Sequence, residues 1–134
     1  WCINIDQTLI HIEKAKLKAK NVVGVVSYVK NTLLDNIENN PMIKEEHKPY
    51  IDYMKNNGFF EVEINSLGEG GILVSSTNGN IGNGDYLVSD DKGYAMKQDD
   101  DLLHNYTVAK ALESVDWSKE TTTSKMIACT YHCG

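Results

Sequence analysis

The chain has 134 residues and a formal net charge of −6, and all thirteen of its basic residues are lysine. An acidic chain without arginine argues against a nucleic-acid partner, which would need a basic face and usually the guanidinium fork. No apolar run approaches the ~18 residues of a membrane span, and 41% hydrophobic with 24% charged residues is the composition of a folded domain rather than a disordered one.

The chain opens Trp1-Cys2-Ile3-Asn4-Ile5 with no initiator Met and no basic-then-apolar leader. It reads as one β-rich domain over 1–134, a piece of a longer polypeptide. Residues 3–14 alternate after a turn-like Asp6-Gln7, which predicts a β-hairpin or bent strand. In 14–20 every second residue is lysine, the pattern of a short exposed edge strand protected against further pairing. Val22-Val23-Gly24-Val25-Val26-Ser27-Tyr28-Val29 predicts a strand buried on both faces, with Gly24 at a bulge or a close backbone approach. Residues 30–58 are asparagine-rich, hold both prolines and carry most of the helical spacing, with Gly58 as a helix stop. They read as an insert, part helix and part loop.

From Phe59 onward the pattern is β. Phe60, Val62 and Ile64 alternate with Glu61 and Glu63, and two glutamates on one strand face are ordinary for a solvated face. Leu67-Gly68-Glu69-Gly70-Gly71 reads as a turn, 72–76 as a strand, and Asn78-Gly79 as a type I′ hairpin signal. Turns at 80–84 and 90–93 separate strands at 85–89 and 94–98. Residues 99–103 form a loop. Residues 106–114 fit helix or strand, and their place in a series of short strands favours strand. Residues 125–131 close the sheet. Seven of the ten glycines lie between 68 and 93, and short strands with turns at that spacing predict a small barrel or sandwich of antiparallel strands.

Few residue sets suggest chemistry. Asp99-Asp100-Asp101 is the candidate cation site, although the alternating acids, glycine and closing Glu of a calcium loop do not follow it; a solvated acidic loop is the plainer reading. Asp90-Asp91 before Lys92-Gly93 is turn chemistry. Three cysteines exclude a fully paired intrachain framework. Cys129 and Cys133 would lie roughly 13 Å apart on one strand face, at ~3.3 Å per residue, too far to bridge. Reduced core thiols are the plain reading, and a metal set of Cys2, Cys129, His132 and Cys133 the sharper one, at an unusual spacing for zinc. Residues 79–84 resemble a phosphate loop but are flanked by strands. His11, His47, His104 and His132 are scattered. No catalytic or cofactor-binding residue is assigned, and no cofactor or metal is expected.

The order of the β segments resembles the C-terminal intramolecular-chaperone, self-cleaving domain of phage neck-appendage and tail-spike proteins, with relatives in large DNA viruses. Three pieces carry the resemblance. The first is an alternating strand at 10–14, a Lys/Ala stretch and the Val23-Gly24-Val25-Val26-Ser27 strand. The second is a variable insert reaching the strand at 60–64 and the Leu67-Gly68 turn. The third runs from Gly84-Asp85-Tyr86-Leu87-Val88-Ser89 through Gly93-Tyr94-Ala95-Met96-Lys97 to residues 106–114. The resemblance implies a virion module that follows a β-rich fibre, promotes its trimerisation, and in some members is released by glutamic-type autoproteolysis.

Three readings follow. The first is a structural module of a viral fibre, tail spike or surface appendage, located in the virion, homotrimeric, and in contact with other virion proteins. The second is an autoproteolytic processing domain. The third is a β domain for host-surface glycans or receptors, for which Tyr28, Tyr50, Tyr53, Tyr86, Tyr94, Tyr106 and Trp117 supply aromatics that equally serve as core or interface packing.

Overall fold

In a computed structural model of the chain, residues 2, 3, 9, 10, 12–30, 49, 52, 56 and 61–133 are described. Contacts divide the chain into two compact units, residues 1–13 with 26–63, and residues 14–25 with 64–134.

In the first unit, strands β1 (Cys2–Ile3) and β2 (Leu9–Ile10) pair antiparallel, with Cys2 opposite Ile10 and Ile3 opposite Leu9. The antiparallel pairing fits a hairpin within 3–14, but residues 12–14 are not strand, and residues 4–8 and 11 lie outside the described residues. Strands β3 (Val25–Lys30) and β4 (Glu61–Asn65) form a second two-stranded sheet. The expectation of a strand at 22–29 buried on both faces fails, since Val23 and Val26 are 49% and 50% exposed. A two-stranded ribbon cannot cover both faces of a valine-rich strand as a closed barrel does. Of the insert, Lys30 ends β3, and Pro49, Asp52 and Asn56 have helical backbone; the rest of 30–58 lies outside the described residues.

The second unit is built on a closed five-stranded barrel of β5 (Leu67–Ser75), β6 (Tyr86–Ser89), β7 (Ala95–Lys97), β8 (Thr107–Ala111) and β9 (Ser124–His132), in the order β5-β7-β6-β8-β9. Closure selects the barrel over the sandwich. One junction departs from the antiparallel expectation: β5 and β7 run parallel, meeting at Val74 and Ala95. The longest ribbon is β5 with β9, in register from Leu67–His132 to Ser75–Ser124. Alternation sends Ile127, Cys129 and Tyr131 inward from β9, where they meet Ile72 and Val74 of β5, Leu87 of β6, and Val108, Ala109 and Ala111 of β8. A barrel of this size is filled by side chains, with no channel at its centre.

Residues 67–71 do not form the expected turn; they are the first half of β5. Glycine is used here for close packing. A Cβ on Gly70 would lie 2.5 Å from the Tyr131 hydroxyl oxygen, which donates to the Gly71 carbonyl at 2.6 Å. The type I′ turn at Asn78-Gly79 also fails. Gly79 has φ +88° but Asn78 does not have positive φ, and that turn needs both central residues there. The Asn78 amide instead donates to the Lys97 carbonyl and to Asp99, each at 2.8 Å. β5 and β6 therefore do not form a hairpin; Ile81 bridges to Val115 instead.

The lysine-rich stretch is not an edge strand. Its 16–19 segment turns through Lys18 (φ 47°) and is held by β6: Lys18 N–H donates to the Ser89 carbonyl at 2.9 Å, and Ser89 Oγ donates to the Lys16 carbonyl at 2.6 Å. Gly24 makes the expected close approach, since a Cβ there would lie 2.9 Å from the Asn65 carbonyl oxygen.

Candidate functional site

The acidic triplet lies in the connection from β7 to β8. Asp99 accepts from Asn78 at 2.8 Å and pairs with Lys18 at 3.0 Å. These hydrogen bonds, Asn78 first, hold its carboxyl below the usual aspartate range. Both Asp100 oxygens lie 2.9 Å from His104 Nε2, and the bond to His104 is the chief reason the Asp100 carboxyl also lies below its usual range. Leu102 N–H donates to Asp100 at 3.1 Å. Asp101 is exposed, with no partner among the described residues. Asp99 and Asp100 are thus engaged by protein donors rather than arranged as an open oxygen cage. Among the described residues no group of three or more His, Cys, Asp and Glu is placed to hold a metal ion.

Beneath this loop lies a second polar layer. Gln98 is 3% exposed. Its Nε2 donates to the Leu102 carbonyl at 2.6 Å and to Asp100 Oδ1 at 2.9 Å, while its Oε1 accepts from Thr107 Oγ1 at 2.5 Å. Thr107 Oγ1 in turn accepts from His104 N–H at 3.0 Å. The His104 ring stacks on Tyr106 with centroids 4.6 Å apart. Nothing in the sequence signals this layer, because Gln98 and Thr107 meet only when β7 and β8 take their places in the barrel.

The 90–93 turn is turn chemistry, as expected. Asp90 is fully buried and accepts from Lys92 N–H at 2.8 Å, Tyr94 N–H at 2.9 Å and Ser75 Oγ at 2.7 Å. The 80–84 segment leads into β6, not into a helix. Its last residues form a turn in which Gly84 takes φ +98° and Asp85 Oδ2 accepts from Gly82 N–H at 2.7 Å. The phosphate-loop likeness therefore ends at the sequence.

Cys129 is a buried, free thiol, and burial pushes it up to about 11. Cys133 is also free and raised by burial, with Sγ 3.4 Å from the Val108 carbonyl. Burial likewise raises Tyr131. Thiols held neutral are poor nucleophiles and poor metal ligands. His132 turns to Thr130 at 3.2 Å and edge-on to Tyr86 at 6.0 Å. Cys2 belongs to the first unit, and its side chain lies outside the described residues, as do His11, His47, Tyr50 and Tyr53 and the side chain of Tyr28.

The remaining aromatics are spread over the barrel. Lys110 Nζ lies 5.7 Å above the Tyr86 ring, and the Trp117 indole donates to the Gly79 carbonyl at 2.9 Å. One surface feature escaped the sequence reading. On the outer face of the long ribbon, Leu73 stands in register with Met126 and Gly71 with Ala128. Leu112 joins them through its N–H to the Ala128 carbonyl, and Met126 is 60% exposed. Alternation along 124–132 was the available signal.

Comparison with protein-family models, curated proteins and solved structures finds no match. Among the described residues no helix is long and apolar enough to cross a membrane.

Proposed function

We propose that this chain is a structural module of a viral fibre, tail spike or surface appendage that aids trimerisation and assembly in the virion. The observation that carries the reading is the exposed apolar face of Leu73, Leu112 and Met126, flattened by Gly71 and Ala128. A long paired ribbon presenting such a face suits packing against further copies of itself. The resemblance supports the same reading, since its third piece supplies β6, β7 and β8, three of the five barrel strands.

The test is sedimentation of the wild-type chain beside a Leu73→Lys/Met126→Lys variant at micromolar concentration. The expected result is a trimeric wild type and a folded, monomeric variant. A monomeric wild type, or a variant that still forms trimers, overturns the reading.

A further inference from the structure

The long ribbon leaves two strand edges open. In an antiparallel pair, successive residues turn their backbone N–H and C=O alternately toward the partner strand and away from it. The bonds from Cys133 N–H to the Ser66 carbonyl and from Ser76 N–H to the Thr123 carbonyl, just beyond the two ends of the β5–β9 ladder, fix that parity. Leu67, Glu69 and Gly71 of β5 therefore point both backbone groups away from β9, and Ser124, Met126 and Ala128 of β9 point theirs away from β5. Ala128 bears this out: its N–H donates to Glu113 and its carbonyl accepts from Leu112 N–H.

On the β5 side, β7 reaches only Val74. Residues 67–71 are exposed, and of their outward backbone groups only the Gly71 carbonyl has a partner among the described residues, the Tyr131 hydroxyl. On the β9 side, β8 pairs no further than Cys129. Of the outward groups of Ser124 and Met126, only the Ser124 carbonyl is engaged among the described residues, by Thr122 Oγ1. One open edge thus lies at each end of the ribbon, on opposite sides of it.

An exposed row of unpaired N–H and C=O groups is a template for a further strand. These two edges fit each other. Laid antiparallel between two copies, they set Leu67 against Met126 of the next copy and Glu69 against its Ser124. Leu67 and Met126 are 69% and 60% exposed, and in this register each covers the other. A Cβ at Gly68 would meet nothing within 4 Å, so no side chain there blocks the approaching strand. Pairing two β5 edges about their own midpoint sets Glu69 against Glu69, a like-charge pair that disfavours it.

We propose that copies of this chain join head to tail by strand addition, the 67–71 edge of β5 in one barrel taking the 124–126 edge of β9 in the next. This rests on the self-associating module proposed above and names its contact. A contact between two different surfaces closes into a ring or runs on as a filament, and a trimer is the closed case.

The test uses Glu69→Pro and Met126→Pro in the 134-residue chain, followed by sedimentation. Each proline removes an N–H that faces away from the ribbon, so the barrel's own ladder is spared, which thermal melts verify. Either variant alone should be monomeric where the wild type assembles, its association weakened about tenfold or more. Mixed, the two should form a dimer and nothing larger, because one keeps only its β9 edge and the other only its β5 edge. If a proline unfolds the chain, Leu67→Cys/Met126→Cys reads the same contact: on oxidation it should form covalent multimers on a non-reducing gel that neither single variant nor the wild type forms. A trimeric wild type whose assembly survives both prolines, a mixture that stays monomeric, or Met126→Cys linking to itself would overturn the contact and leave the trimer reading standing. Open head-to-tail chains of the wild type, abolished by either proline, would support the contact and overturn the trimer; a monomeric wild type would overturn both.

Discussion

Two acidic turns flank β7, and they use the same residue type in opposite ways. At the first, the Asp90 carboxylate is fully buried and gathers three donors, one from β5 and two from its own turn. At the second, Asp99 and Asp100 are exposed and reach outward to Lys18, Asn78 and His104. Sequence alone shows five aspartates within twelve residues. Burial separates Asp90, held inside the barrel, from its exposed neighbour Asp91 and from Asp99, Asp100 and Asp101 of the surface loop. The lesson is that an unpaired buried donor is expensive, whereas an exposed one returns to water.

The largest effect is expected at Asp90. Asp90→Ala leaves the Lys92 and Tyr94 amides and the Ser75 hydroxyl without their acceptor, and should cost about 3 kcal/mol in denaturant unfolding. Asp90→Asn, which retains an acceptor oxygen, should cost less. Equal effects from Asp90→Ala and Asp99→Ala would show the contrast to be wrong.

A smaller effect tests the barrel wall beside the buried turn. Gly70→Ala drives a methyl into the Tyr131 hydroxyl and should cost roughly 1–3 kcal/mol. Tyr131→Phe, losing the bond to the Gly71 carbonyl, should cost about 1 kcal/mol. Because the hydroxyl is the closest atom to the added methyl, the double variant should be less destabilised than the sum.

Next in size is a pH effect of the buried wall. Cys129 is raised from 9.0 to about 11, so the fold favours the protonated thiol. Its contribution is complete below the unfolded value and is lost as pH rises toward the folded one. Wild-type stability should fall across that alkaline window, and Cys129→Ala should flatten the decline.

The surface loop should give the smallest change, as exposed pairs do. Its sign is opposite to that of the thiol. Asp99 and Asp100 are lowered, so their contribution is present above the usual carboxylate range and lost as pH falls through their folded values. In His104→Asn, the Asp100 carboxyl should return toward its ordinary range in an NMR titration.

Much of the barrel was legible in the residues. Turn signals and the regular series of short segments marked strands at 85–89, 94–98 and 106–114, with 125–131 closing the sheet, and each overlaps a strand of the barrel. The β5 half at 67–71 was not legible, because three glycines in five residues carry turn chemistry locally, while their use here depends on Tyr131, sixty positions away. The Asn78-Gly79 signal failed for a similar reason, since Asn78 serves Lys97 and Asp99 rather than a local hairpin. The role of Asp90 as a turn former was readable from its neighbours, but its burial was not. The Gln98–Thr107 layer and the Leu73–Met126 face depend on strand order and register, which no local pattern encodes.

Self-association of the barrel as a structural module remains the proposal to be measured first. Its most direct test is the mass of the intact 134-residue chain by light scattering over a dilution series at micromolar concentration. A mass three times that of the chain is predicted; a single monomeric species throughout the series would contradict it.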